Sequence, residues 1–260
     1  MADVRISGEQ AFKAGNTYLI GPADGEDQSL GYVADYHSLT KLRAGGFLSD
    51  EKKKFQVLDK AWMAGSKPSG SLFIKLKALD DFSIKNSLDL SYSKKKFSLT
   101  WITLSDKGSK KQRKDESGPL IENLLNDKFE LCLSTGFIIP DDQVLLRSLV
   151  MHLACVSGFD FIITTGGTGL GPRDITPEVI SSIIDKRLPG FEQAMTASSL
   201  TKTPHAMISR AVAGTLNQSI IINLPGSPKG VRENLEVVLP ALEHALKKLQ
   251  GDPSDCASRS

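Results

Sequence analysis

The sequence predicts an α/β protein, with a doubly wound, mostly parallel sheet over residues 96–250 and a smaller, β-rich domain over residues 1–92. Two patterns carry this prediction. From Lys96 onward, apolar strand patterns alternate with helical patterns, as in parallel sheets whose two faces are covered by helices. Before Tyr92, short apolar segments are broken by Gly, Ser, Pro and Asp, which is typical of short strands joined by turns.

Composition narrows the class of protein further. The chain has 260 residues and 40% hydrophobic residues, which is enough for a packed core, and its net charge of +2 indicates neither a nucleic-acid nor a membrane partner. Its three cysteines show no CxxC spacing, so we expect no disulfide framework and no zinc site. The absence of a secretory pattern and of a long apolar run predicts a cytoplasmic protein without a membrane span.

One helix is expected in the first domain, over Asp50 to Ala64, because Phe55, Leu58 and Trp62 follow a helical spacing. This apolar stripe is interpreted as core packing. The remaining segments predict short strands, such as Tyr18–Ile20 and Ser71–Leu76. The polar stretch Asp80 to Lys96 is the expected boundary between the two domains.

The second domain is expected to contain four strands and at least four helices. The predicted strands are Phe97–Leu104, Glu130–Ile139 with an interruption at Ser134–Gly136, Phe161–Ile163 and Ser219–Leu224. The predicted helices are Gly118–Asn126, Asp142–Val156, 177–187 and Pro228 to about Leu249, with a helical or looped stretch over Phe191–Ala213. Residues 251–260 are expected to form a frayed tail.

A glycine-rich segment is the most informative feature of the chain. It follows the strand at Phe161 and reads T-T-G-G-T-G-L-G-P-R-D-I-T-P, with glycines at 166, 167, 169 and 171. Glycines at such positions allow positive φ and close approach of a ligand, and the N–H groups of such a loop can bind an anion. Thr176 is the expected N-cap and Pro177 the first residue of the next helix. Neither the P-loop nor the dinucleotide spacing of glycines is present.

Four loops are expected at one edge of the predicted sheet, since ligands of such sheets bind outside the carboxyl ends of the strands. They are Ser105–Lys107, Ile139–Asp142, the glycine-rich segment with Asp174, and Pro225–Pro228.

These loops resemble the motifs of the MogA/MoaB/gephyrin G-domain family. The glycine-rich segment resembles the family signature, S-D-K-G-S its S-D-R-x-S, I-P-D-D its I-P-D-E/D, and N-L-P-G-S-P its N-x-P-G-x-P. L-P-G-F at Leu188–Phe191 is shared with the MogA branch. The resemblance covers about residues 96–250, and the motifs occur in family order.

The resemblance implies an enzyme of molybdenum cofactor biosynthesis, which transfers AMP from ATP to the terminal phosphate of molybdopterin with Mg²⁺ and releases pyrophosphate. Asp141 and Asp174 match the functional aspartates of the family, with roles in Mg²⁺ coordination, in orientation of the terminal phosphate, or in both. The implied substrate-binding residues are Ser105, Asp106, Thr165, Gly166, Gly167, Thr168, Gly169, Pro225, Gly226 and Ser227. A homotrimer and a handover to a molybdate-insertion protein are implied as well.

Several alternatives stay open at this point. Asp174 could complement a helix N-terminus, Asp141 or Asp142 could be an N-cap, and Arg173 could pair with Asp174 or contact phosphate. Lys107 stands where the family has arginine, and the lysines from 110 to 114 could form a loop that attracts an anionic substrate. A non-catalytic molybdopterin carrier and a pyrophosphatase, as in the competence-damage-inducible relatives, are the competing functions. Residues 1–92 predict no function.

Overall fold

The computed structural model describes residues 3–23, 31–34, 36–63 and 71–253. The chain divides into two compact units. The first contains residues up to Ser98 together with the short segment Val156–Phe159, and the second contains Leu99–Cys155 and the chain from Asp160 onward.

The first unit is a closed β-barrel with one short helix. The barrel is closed by seven strands in the order β1-β4-β3-β7-β6-β5-β9, while β2 and β8 form a separate pair. These elements are β1 (Val4–Ser7), β2 (Gln10–Phe12), β3 (Thr17–Pro22), β4 (Gly31–Val33), α1 (Tyr36–Lys41), β5 (Phe47–Ser49), β6 (Lys53–Met63), β7 (Ser71–Ala78), β8 (Phe82–Ile84) and β9 (Ser87–Ser93). Alternating apolar residues fill the interior, and the rings of Phe12, Phe55 and Phe82 pack against one another.

The helix expected over Asp50–Ala64 is wrong, because this segment forms the longest strand of the barrel, β6. Phe55 and Val57 point inward with a period of two, as in a strand. A register shift between Val57 and Asp59 then breaks the alternation and brings Lys60 to the interior. The expected apolar stripe is not one core-facing surface, because Phe55 is buried, Leu58 is half-buried and Trp62 is 60% exposed. Ala64 itself lies outside the described residues.

The expected boundary segment Asp80–Lys96 contains β8 and β9, both of which pair with other strands of the first unit. Within the described residues, the first unit therefore continues to Ser98. The polar composition of this segment comes from exposed positions of two short strands rather than from a linker.

The second unit contains a six-stranded sheet in the order β11-β10-β12-β15-β14-β13. Its elements are β10 (Phe97–Leu104), α2 (Asp106–Ser109), α3 (Ser117–Lys128), β11 (Leu131–Ile139), α4 (Gln143–Met151) with a π-helical continuation (His152–Ser157), β12 (Phe161–Thr165), α5 (Thr176–Ser181), β13 (Lys186–Arg187), α6 (Pro189–Leu200), a 3₁₀ turn (Pro204–Ile208), β14 (Ala213–Leu216), β15 (Ser219–Leu224) and α7 (Pro228–Leu249). Strands β10, β12 and β15 are parallel, whereas β13 and β14 are antiparallel additions at one edge.

Two details of the second unit differ from the expectations, whereas the helical or looped stretch expected over Phe191–Ala213 is present. Strand β11 is continuous through Gly136, because the indole of Trp101 packs on this glycine and leaves no room for a Cβ. Helix α5 ends at Ser181, and the chain then forms β13 instead of continuing as a helix to residue 187. The stretch 191–213 is mostly α6 and the 3₁₀ turn, and β14 starts at its end. Residues 254–260 of the expected tail lie outside the described part.

The register of the parallel strands brings their loops to one edge of the sheet. Thr103 of β10 is the partner of Thr165 of β12, which in turn is the partner of Leu224 of β15. The three strands therefore end level with one another. The loops that begin at Ser105, Gly166 and Pro225 leave the sheet side by side.

Candidate functional site

A cavity of about 420 Å³ lies at this edge of the sheet. Its wall includes most of the residues expected in a site: Ser105, Asp106, Asp141, Thr165, Gly166, Gly167, Asp174, Gly226 and Ser227. The carboxylates of Asp141 and Asp174 face the same cavity, although they belong to different loops. A neighbouring cavity of about 300 Å³ is lined by the other three expected residues, Thr168, Gly169 and Pro225, and also by Ser227. The structure thus divides the expected site between two cavities that share Ser227.

The glycine-rich loop has the backbone conformation that its sequence indicates. Gly166 and Gly167 both have positive φ, 102° and 64°. A Cβ at position 166 would lie 2.6 Å from the Leu104 carbonyl oxygen, and one at 167 would collide with the hydroxyl of Thr176. Only glycine fits either position without strain. Both glycines are thus required by the close packing of the loop against Leu104 and Thr176, and both line the cavity.

Asp106 and Asp141 form a closed pair of hydrogen bonds. The N–H of Asp106 donates to Oδ2 of Asp141 (3.3 Å), and the N–H of Asp141 donates to Oδ1 of Asp106 (3.2 Å). Arg173 completes the network with a two-pronged ion pair to Asp106, at 2.7 and 2.8 Å from Nη2. Arg173 therefore pairs with Asp106 and not with Asp174, and it connects the glycine-rich loop to the loop after β10.

The two carboxyl groups of this network have pKa values that are shifted in opposite directions. The Arg173 guanidinium holds the pKa of Asp106 below its usual value. Burial raises the pKa of Asp141, and the negative charges of Asp106 and Asp174 add to this rise. Of the two carboxyl groups, Asp141 is thus the one that is protonated more readily.

Asp174 is held by its own loop. Its Oδ2 accepts a hydrogen bond from the N–H of Gly171 (2.8 Å), and its N–H donates to the Gly171 carbonyl (2.9 Å). The residue before helix α5 is Ile175, which makes no side-chain capping bond. Asp174 is therefore not the cap of α5, and its other oxygen is left for the cavity.

Two expected caps are confirmed and one is wrong. Asp142 accepts hydrogen bonds from the N–H groups of Val144 and Leu145 and is the N-cap of α4, while Ser227 is the N-cap of α7. Thr176 is instead the first residue of α5, and its buried hydroxyl has no hydrogen-bond partner among the described residues.

Two hydroxyls of the expected site are already engaged by the protein. Ser105 Oγ caps the short α2 by accepting from the N–H of Gly108 (3.0 Å). The hydroxyl of Thr165 donates to the carbonyl of Pro225 (2.7 Å), and the side chain is fully buried. In this structure the Thr165 hydroxyl therefore holds the loop after β15, while the residue also lines the cavity.

Asp115 also lines the cavity, although it was not among the residues expected from the motifs. Asp115 accepts hydrogen bonds from Thr103 Oγ1 and from the N–H groups of Ser117 and Gly118, and it thereby holds the start of α3 against β10. The D-x-S-G pattern after the lysine run is a capping signal that could have revealed it.

Three cations, Lys107, Arg113 and Lys114, line the same cavity. They form no ion pair among the residues that the structure describes. These three cations, called the basic wall below, share the cavity lining with five acidic residues, Asp106, Asp115, Glu116, Asp141 and Asp174.

The donor set can hold Mg²⁺ only together with a ligand. Within the described ranges, no group of three or more His, Cys, Asp or Glu has metal-binding geometry. Mg²⁺, however, is usually bound by one or two carboxylates, with substrate phosphates and water completing the shell. Asp141 and Asp174, on one cavity beside an open main-chain loop, fit that requirement.

The fold and the site define a class of protein: an α/β domain with a candidate ligand-binding cavity at the carboxyl ends of parallel strands. The comparisons name the family. The model of the family described as "probable molybdopterin binding domain" matches residues 100–244, and the chain belongs to this family. The family predicted from the motifs is thereby confirmed.

Named relatives agree with this family. The match to gephyrin of Dictyostelium discoideum is 39% identical and covers 61% of this chain but only 23% of gephyrin. The match to the molybdopterin adenylyltransferase of Helicobacter pylori strain J99 is 38% identical and covers 58% of this chain and 86% of that enzyme.

Solved structures match the second unit. The molybdopterin biosynthesis enzyme MoaB of Thermus thermophilus is 41% identical, with a TM-score of 0.55, and the match covers 61% of this chain and 99% of MoaB. The Mog protein of Mycobacterium ulcerans is 33% identical, with a TM-score of 0.54, and the match covers 62% of this chain and 100% of the Mog protein. These matches confirm the α/β fold of the molybdenum cofactor biosynthesis proteins for this part of the chain. No helix among the described residues is both long and apolar enough to cross a membrane.

Proposed function

We propose that the chain is a molybdopterin adenylyltransferase, which transfers AMP from ATP to the terminal phosphate of molybdopterin. One observation carries the proposal: Asp141, Asp174 and the glycine-rich loop line one cavity, which also has a basic wall. The relatives named as molybdopterin adenylyltransferases support the same activity.

The reaction is an in-line displacement at the α-phosphorus of ATP. An oxygen of the terminal phosphate of molybdopterin forms the new P–O bond, and the bond from the α-phosphorus to the bridging oxygen of pyrophosphate breaks. Negative charge grows on the departing pyrophosphate, so the protein has to position the phosphates and neutralise their charge. Lys107, Arg113 and Lys114 supply that charge from the basic wall.

The other groups orient the reactants. Asp141 and Asp174 would hold Mg²⁺, whose chemistry is to neutralise and align phosphate oxygens when it is bound. The N–H group of Gly167 would bind a phosphate oxygen, whereas that of Gly166 donates to the Leu224 carbonyl (3.0 Å), and the N-terminus of α7 adds a favourable dipole beside Ser227. Because burial raises the pKa of Asp141, a rise in pH favours the ionised form that would hold Mg²⁺.

The smaller cavity suits the pterin. Its lining of Thr203, His205, Asn234 and Glu233 offers neutral and charged partners for the amide and amine edge of a pterin ring. Because Ser227 borders both cavities, a pterin in the smaller cavity would direct its phosphate toward the glycine-rich loop.

The same proposal includes the quaternary structure, the sheet and the partners. We infer a homotrimer from the resemblance, and a handover of the adenylylated product to a molybdate-insertion protein. A doubly wound sheet is supported by two groups of helices: α7 contacts α3 and α6, while α4 contacts α5. Light scattering after size exclusion tests the trimer.

The decisive experiment incubates the purified full chain with molybdopterin, ATP and Mg²⁺, and detects adenylyl-molybdopterin and pyrophosphate. Formation of both products establishes the transferase. Binding of molybdopterin without products would instead favour the carrier, and release of pyrophosphate or phosphate from ATP without a molybdopterin adduct would favour the pyrophosphatase.

A further inference from the structure

Arg210 lies between the 3₁₀ turn and β14, and its side chain reaches across to the glycine-rich loop. Its Nε and Nη2 donate to the carbonyl of Gly169, at 2.9 and 2.7 Å. The same Nη2 donates to the carbonyl of Asp174 at 2.8 Å. One guanidinium thus joins two main-chain points of the loop that are separate in sequence.

Two more contacts of Arg210 extend this connection. Its own N–H donates to the carbonyl of Thr168 (3.2 Å), just before Gly169. Its Nη1 forms an ion pair with Glu178 in the first turn of α5. Arg210 therefore holds the loop at its start, at Asp174 and at the helix that follows.

The loop wraps tightly around the carboxylate of Asp174. A Cβ at Gly169 would lie 2.7 Å from Oδ2 of Asp174, and one at Gly171 would lie 2.9 Å from it. Hydrogen bonds between Gly171 and Asp174 close the turn. Because the turn has no spare room, a shift of the Gly169 or Asp174 carbonyl moves the Asp174 carboxylate as well.

We propose that Arg210 is a positioning residue for the transfer reaction: its guanidinium fixes the glycine-rich loop so that Asp174 faces the cavity. This inference rests on the proposed function. The planar fork of arginine supplies N–H donors in fixed directions to two carbonyls and one carboxylate, which a lysine ammonium cannot reproduce. A displacement of about 1 Å at a reacting group can lower a rate roughly a hundredfold.

The experiment compares the full-length wild type with Arg210→Lys. We expect kcat to fall at least about tenfold while the Kd of molybdopterin changes less than about threefold, since the lysine keeps the charge but loses the fork. Hydrogen exchange gives a readout that is independent of activity. The amides of residues 169–174 should exchange at least about tenfold faster, with no change in β12 and β15.

Two variants are matched controls. Arg187→Lys changes an arginine that pairs with Glu192 and makes no described bond to the loop. Glu178→Gln removes the ion pair of Arg210 but leaves its bonds to the carbonyls. Arg187→Lys should keep wild-type turnover and wild-type exchange in residues 169–174, and Glu178→Gln should fall between the wild type and Arg210→Lys in both quantities.

Chemical rescue completes the test. Methylguanidinium added to Arg210→Ala should restore part of kcat, whereas it should do nothing for Asp174→Asn. Unchanged kcat and loop exchange in Arg210→Lys would overturn the inference, and so would loss of protection in β12 and β15, which would show a general structural role. Failure of the proposed function is recognised separately, because the wild type would then form no product while the exchange measurement would still report on the loop.

Discussion

Asp106 and Asp141 each donate their backbone N–H to the carboxylate of the other, at 3.3 and 3.2 Å. The pair joins the loop after β10 to the loop after β11, so neither carboxylate can move alone. Arg173 adds the glycine-rich loop to this pair through Asp106. Three loops that are far apart in sequence therefore hold one acidic wall of the cavity in a fixed arrangement.

The pH dependence of turnover should respond to Arg173→Gln. In the wild type, the Arg173 charge lowers the pKa of both Asp106 and Asp141. Its removal raises both pKa values, and carboxylates that must be ionised are then protonated at a higher pH. The acid limb of the kcat/KM profile should therefore shift to higher pH, as measured between about pH 4.5 and 8 at constant ionic strength. Arg232→Gln, which removes an exposed arginine paired with Glu236, should leave the limb in place.

Asp174→Asn should abolish transfer while it leaves molybdopterin binding largely intact. Asparagine has the same shape, so the loop should keep its hydrogen bond from Gly171, while the negative charge on the cavity is lost. We expect kcat to fall roughly a hundredfold or more, as for other groups that organise charge in a transition state. Product formation at the wild-type rate would rule out the role of this carboxylate.

Substitution at Gly167 should weaken ligand binding. Gly167→Ala places a Cβ against the Thr176 hydroxyl at a residue with φ of 64°, and both effects displace the loop. The cost should be about 1–3 kcal/mol, seen as a rise of molybdopterin Kd or a lower Tm. Gly190→Ala is the matched control, since a Cβ there meets nothing within 4 Å and it should change neither quantity. Equal behaviour of the two variants would contradict a ligand-binding role for the loop at Gly167.

The basic wall should govern affinity for the triphosphate. Arg113→Ala combined with Lys114→Ala should raise the KM for ATP and flatten its dependence on salt, because cations at the cavity attract anions. Lys128→Ala removes a lysine at the opposite end of α3 from Ser117 and serves as the control. An identical salt dependence in the double variant and the wild type would exclude this role.

Lys60 should make the stability of the protein depend on pH in the alkaline range. Burial in the barrel lowers its pKa to about 8, and Arg43 adds to this effect. The unfolded chain, with a pKa near 10.5, then binds more protons between these two values, so stability should rise from about pH 8 to about pH 10.5. The gain is at most about 3 kcal/mol, which is the free-energy equivalent of the shift.

The measurement compares thermal unfolding of the wild type and Lys60→Met at about pH 7.5, 9 and 10, a range that spans the lowered pKa. The stability of the wild type relative to Lys60→Met should increase as pH rises, on top of a constant offset that includes the lost hydrogen bond to the Leu39 carbonyl. Lys75→Met, at an exposed position of β7, corrects for the loss of a surface charge. A constant difference across the three pH values would show that Lys60 keeps its proton throughout.

Local sequence was sufficient for the features that depend on neighbours in the chain. The glycines at 166 and 167 require positive φ, and Asp142 and Ser227 precede their helices at capping distance, so each was predictable from a few residues. The family also followed from local motifs, and the family match confirms it.

Strand β6 and the roles of hydroxyls and arginines could not be predicted in this way. The bulge beside Leu58 is stabilised by pairing with β7, so a helical spacing of apolar residues was misleading. Arg173 pairs with Asp106, which is 67 residues away in the sequence. Thr165 donates to the carbonyl of Pro225, which is 60 residues away. No local pattern indicates such partners.

The sequence by itself determined the family, the parallel strands and the glycine loop, because these depend on backbone preferences and short apolar runs. Only the tertiary structure decided which side chains share a cavity, since strand register brings the loop ends together. It also decided that Arg210 holds the loop around Asp174, because a guanidinium donates to the carbonyl groups that lie near it in space, whatever their position in the chain.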